Sequence, residues 1–177
     1  MDELLKTLSK YSLLNYLIPG AIFVGLLRLI TSFDLVQEEL VVSLFIYYFV
    51  GMVISRFGSV IVEPFLKVTN LIHFAPYSDY VAGSKADPKI IDLSETNNLY
   101  RTMIAMIIML LLSMLAAWAN KIRDINQGLQ FFLLLLFLFV LFLFSYRKQT
   151  KFVKKRIEIA KNEHLSLIHI SEPTRPY

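Results

Sequence analysis

The chain has no cysteine in its 177 residues, which excludes a disulfide framework and thiol chemistry. Histidine is scarce, with three in all, and no His, Asp or Glu cluster has the spacing of a metal site. There is no Walker-type loop, no G-x-S-x-G and no H-E-x-x-H. Asp79, Asp87 and Asp92 are spread through a polar stretch as solvated charges, whereas catalysis needs groups that converge. The expectation is a protein without catalytic residues, bound cofactor or metal, and so not an enzyme.

Charge is also thin. Charged residues make up 18% of the chain and hydrophobic ones 56%, with a mean hydropathy of +0.57. A soluble domain has about 25% charged and about 45–50% apolar residues. The surplus is gathered in four stretches, at about 11–31, 36–56, 102–119 and 128–146. Each is near the length that a helix needs to cross a bilayer, about 20 residues with about 17 sufficient. Short links after the first and third stretches pair them as antiparallel hairpins. The predicted fold is all-α: an integral membrane protein with four transmembrane helices in two antiparallel hairpins. From Lys89 to Gln127 there is no glycine or proline, so the third helix can start near Ser94, capped by Asp92 or Ser94. The fourth can run on through Arg147–Asn162, and both then extend into the cytoplasm. Residues 1–164 form one domain.

The ends are different. Met1–Lys10 has Leu4, Leu5 and Leu8 at helical spacing, fit to lie at the membrane surface. Its acidic residues and the length of the apolar stretch that follows argue against a signal peptide. Residues 165–175, LSLIHISEPTR, resemble a sequencing adapter translated in one frame. Residues 165–177 are therefore read as a non-native tail and set aside.

The second stretch organises the rest. Gly51 and Ser55 make a small-xxx-small pair, as do Ala21 and Gly25 in the first, and such pairs let helix backbones approach closely. A kink is expected at Pro19-Gly20. Pro64 is expected either to bend the helix near residue 61 or to open a new one. Beyond the stretch, Arg56, Ser59, Glu63 and Lys67 fall on one face of a regular helix, and Glu63 and Lys67 form an i,i+4 pair. Asn97, Asn98, Arg101 and Thr102 lie at the same edge of the third span, with Asn97–Arg101 and Asn98–Thr102 as i,i+4 pairs. Arg56, Ser59, Glu63, Asn98 and Arg101 thus make an interfacial polar cluster, with Glu63 facing Arg101 and Arg56 held against Asn98 or Glu63. Residues 64–93 form a polar cytoplasmic segment with a small helix over Ser78–Lys85. The methionines at 103, 106, 109 and 114 read as packing filler in the third span.

Basic residues set the orientation. Lys6, Lys10, every Lys and Arg from Arg56 to Arg101, and all those from Arg147 to Lys161 fall on one side of the four spans. Only Arg28, Lys121 and Arg123 fall on the other. The positive-inside rule places both termini in the cytoplasm. The tail RKQTKFVKKR directly follows a span, so it suits anionic lipid head groups rather than nucleic acid. No acidic residue falls inside a span. Small four-helix multidrug exporters are of similar size, but their membrane-buried glutamate is missing here, which argues against transport.

YYFVGMVISRFGSVIVEP, LSETNNLYRT and FSYRKQTKFVKKR together resemble a set of small four-span bacterial membrane proteins to which no activity is attached. The resemblance implies a bacterial inner-membrane location and this architecture, and no mechanism. The functional expectation is a scaffold or anchor that binds a cytoplasmic protein. The alternative is a membrane-active effector that assembles as a homo-oligomer and permeabilises the bilayer.

Overall fold

A computed structural model describes residues 13–31, 33–123 and 126–171. The surface helix expected over Met1–Lys10, and the tail from 172 onward, lie outside the described residues. Among the described residues every regular element is helical. Three helices are long and apolar enough to cross a membrane: Leu40–Val68, Lys89–Lys121 and Gly128–Lys161. A shorter apolar helix covers Asn15–Ile30.

The first helix opens with a π-helical turn, Leu13–Leu17, and continues as α1, Ile18–Ile30. Pro19 lies in the first turn of α1, so its missing amide breaks no α-helical ladder there. A π-helical turn, itself a common cause of bending, directly precedes Pro19-Gly20, where a kink was expected. Thr31 stops α1 by turning its hydroxyl back onto the Leu27 carbonyl, at 2.8 Å. In the link that follows, the Asp34 carboxylate accepts from the Val36 amide at 2.9 Å, and residues up to Glu39 stay non-helical. The second helix, α2, therefore starts at Leu40 and covers Leu40–Phe57.

α2 does not end at Arg56. It passes into a second π turn, Gly58–Val62, and then into α3, Glu63–Val68, whose first turn holds Pro64. Together they form one 29-residue helix, roughly 43 Å long at 1.5 Å per residue. Asn70, with φ of 56°, closes it in the left-handed conformation that Asn tolerates at helix ends.

α4, Tyr77–Ala86, is the small helix expected in the polar segment. Val81 pins it by burial, and Tyr77 meets Phe152 with ring centroids 5.5 Å apart. α5 covers Lys89–Arg123. Its cap is Asp87, whose carboxylate accepts from the Lys89 amide at 3.0 Å. Neither Asp92 nor Ser94 caps it, because Pro88 suits the first helical position and starts the helix earlier. α6, Gln127–Ser171, begins behind Asn126, whose side chain accepts from the Gly128 amide at 2.7 Å.

The core lies where α1, α2 and α5 meet, around Val24, Ile54, Ala105 and Met106. Met103 and Met109 pack against it, as filler should. α6 joins at one side through Leu141 and through Phe137, whose ring lies 6.3 Å from that of Phe57.

Candidate functional site

Two polar groups are built into this apolar frame. The first sits on α5, α2 and the turn ahead of α1. Thr102, Asn15 and Ser55 are all buried. The Thr102 hydroxyl lies 2.8 Å from the Asn15 side-chain oxygen, 2.9 Å from the Asn98 carbonyl and 3.3 Å from the Ser55 hydroxyl. The Asn15 amide donates to Ser55 at 3.2 Å. Polar side chains in an apolar bundle satisfy one another across helices, because no water is there to do it.

This contact depends on close backbones. A Cβ on Gly20 would overlap the Tyr47 carbonyl, and one on Gly51 would overlap the Tyr16 carbonyl. Gly51 thus lies in a close helix contact, against Tyr16 and Gly20 rather than Ala21 and Gly25, while Ser55 meets Asn15 and Thr102. Ala21 is half-buried, and a Cβ on Gly25 would meet nothing within 4 Å. The reason is the helical face. Gly20, Phe23, Val24 and Leu27 form the buried stripe of α1, and Gly25 falls outside it.

The second group centres on Glu63, which is 7% exposed. Lys67 Nζ lies 2.8 Å from Oε1, Arg101 Nη1 2.8 Å from Oε2 and Lys148 Nζ 3.2 Å from Oε1. The expected Glu63–Lys67 and Glu63–Arg101 pairs are present, and Lys148 of α6 joins them. One buried carboxylate is thereby shared among three cations. Arg101 Nε is buried here with no hydrogen-bond partner.

Lys148 is held by a consequence of Pro64. The Glu63 amide reaches back five residues to the Gly58 carbonyl, and Pro64 has no amide to offer. The Ser59 carbonyl is so released from the ladder. Lys148 Nζ donates to it at 2.6 Å and to the Ser59 hydroxyl at 2.9 Å. Gly58 lets α5 approach this turn, since a Cβ there would stand 3.1 Å from that of Ala105.

The π turn also corrects the expected cluster. A π turn holds about one residue more than an α turn, so everything after it is rotated back by about 100°. That brings Glu63 onto the bundle face of Ser55 and leaves Arg56 off it. Arg56 is half-buried and makes no hydrogen bond or ion pair with Asn98 or Glu63, or with any other described residue. Asn98 contributes only its carbonyl, to Thr102. Of the five residues expected together, Ser59, Glu63 and Arg101 meet. Lys148, Asn15 and Gly20 were outside the expected sets, whereas Thr102 was expected at this edge beside Asn98. The sequence signal for Lys148 was its place three residues after Ser145 and seven after Leu141, on the α6 face that Leu141 buries.

The helix carrying Glu63 is continuous with α2, so a carboxylate does enter the bundle. There it is shared by three cations. Among the described residues no three His, Asp or Glu side chains are placed to hold a metal ion. Comparison with known protein families, curated proteins and solved structures finds no match.

Proposed function

We propose that the protein is a four-span membrane scaffold, with both termini in the bacterial cytoplasm, that presents two helical arms to a cytoplasmic protein. The observation that carries this reading is helix length. α5 has 35 residues, and α6 has 38 of its 45 ahead of the tail set aside at 165, roughly 52 and 57 Å, against a hydrocarbon core of about 30 Å. On this reading the first turns of α5 and the last of α6 stand clear of the bilayer on the side favoured by the basic residues. The arms carry exposed apolar residues at Leu93, Tyr100, Val153 and Ile157. The shorter α1 with its leading π turn is the fourth span, completing a hairpin with α2. The polar clusters support structure rather than chemistry, since the one buried carboxylate and the buried hydroxyls are spent on neighbouring side chains.

The permeabilising alternative draws on the small-residue stripe as an oligomer contact. Gly51 and Ser55 already face α1 and α5 within one chain, which removes that support.

A photo-crosslinking residue at Leu93 or at Ile157, compared with one at lipid-facing Leu135, tests the scaffold role in intact cells. The expected result is one discrete adduct with a second protein from the arm positions only. Adducts with nothing but lipid or other copies of the chain refute it. Depolarisation on expression would favour the alternative.

A further inference from the structure

We propose that the groove between the Pro64 turn and α6 binds the phosphodiester head group of an anionic phospholipid. The groove is open, with a volume of about 300 Å³. Val60 and Pro64 form one wall, and Phe144, Arg147, Lys148 and Lys151 the other. Phe144, Arg147 and Lys151 share one face of α6, at i, i+3 and i+7. The two cations lie roughly 4.5 and 10.5 Å beyond the phenyl ring along the helix. The apolar wall comes first and the positive charge after it, in the order in which a phospholipid passes from acyl chain to phosphate.

Three further observations fit an anion. Lys148 is fixed in place, with its donors directed to Ser59 and Glu63. Arg147 and Lys151 are exposed, and neither has a hydrogen bond or ion pair among the described residues. The one carboxylate at hand, Glu63, is shared by Lys67, Arg101 and Lys148, so the site carries positive charge that nothing in it neutralises. Unneutralised cations beside a low-dielectric bundle attract an anion strongly. The apolar wall selects a lipid over free phosphate. The proposal rests on the membrane reading and not on the scaffold role. It differs from general attraction by the basic tail, because it assigns binding to two of the tail's cations and not to the others.

The test is native mass spectrometry of the detergent-solubilised full chain titrated with phosphatidylglycerol, phosphatidylcholine or inorganic phosphate. One phosphatidylglycerol should bind in preference to phosphatidylcholine, and millimolar inorganic phosphate should not displace it. R147Q/K151Q should weaken it about thirtyfold, at roughly fivefold for each basic residue near an anionic surface. K154Q/K155Q removes the same charge from exposed positions that do not line the groove, and should leave binding nearly unchanged. All four side chains are exposed, so both variants should keep the parent's thermal midpoint. Equal weakening by the two variants overturns the site, and so does a lack of preference for phosphatidylglycerol. Displacement by inorganic phosphate overturns the lipid assignment.

Discussion

Replacing Lys148 with Met keeps an unbranched apolar stem and removes the ammonium group. Two losses follow from the geometry. The Ser59 carbonyl, released by Pro64, is left without the donor now at 2.6 Å. An unsatisfied buried acceptor costs about 1–3 kcal/mol, and this part-buried carbonyl beside an open groove belongs in the lower half of that range. Glu63 loses one of three cations but keeps Lys67 and Arg101, both at 2.8 Å, so this second loss is the smaller. The sum is about 2–3 kcal/mol. For a chain of this size 1 kcal/mol moves the thermal midpoint by about 2–4 °C, so the midpoint should fall by about 4–12 °C. It can be read as the fraction of detergent-solubilised protein still monodisperse after heating. The argument is decided by a cycle. Pro64→Ala restores an amide, and the Ser59 carbonyl then regains a backbone partner in either an α or a π turn. In that background Lys148→Met should cost about 1 kcal/mol less. Equal costs in the two backgrounds would refute the link between the proline and the lysine.

Further outcomes follow from the same packing. Gly20→Leu and Gly51→Leu should each prevent α1 from seating on α2, seen as loss of monodisperse protein. Gly25→Ala, with open space at its Cβ, should leave the thermal midpoint unchanged or slightly raised. Thr102→Val keeps the shape but removes the hydroxyl that joins Asn15 at 2.8 Å and Ser55 at 3.3 Å, and should lower stability by about 1 kcal/mol in the same heating assay. Arg56→Ala should change stability by less than about 0.5 kcal/mol, because the half-buried guanidinium has no hydrogen bond or ion pair among the described residues to lose. Glu63→Ala, which strands three cations, should cost about 3–5 kcal/mol. A comparable loss from both would show that Arg56 has a partner after all.

The helical architecture and the stretches that build it were legible because they follow from hydropathy and from where glycine and proline are absent. So were Gly51, Ser55 and the pairs of Glu63 with Lys67 and Arg101, which rest on small-residue spacing and complementary charge. The π turns were not. Pro19 and Pro64 announce a break in the ladder, but whether the chain answers with a kink, a new helix or a widened turn depends on what packs beside it. At Pro64 the close approach of α5 at Gly58 and the donor from Lys148 accompany the widened turn. A regular helical wheel then misplaces Arg56 by one residue's rotation. Lys148 was hidden in a run of basic residues whose composition suggests only a solvated tail. Asn15 and Thr102 lie 87 positions apart, and nothing local couples them.

The hydrogen-bonded triad also bears on how the molecule is made. Asn15, Ser55 and Thr102 come from the first two apolar helices and from α5, so the last of them is synthesised well before α6. Those three helices can close on one another while α6 is still in the ribosome. A helix that arrives after closure has to be at home in lipid by itself. α6 meets that condition, with only 11% of its most apolar window buried in the protein, against 33% for the helix at Leu40–Val68. Its final docking is left to a late-emerging lysine, which finds a carbonyl that a proline has already set free.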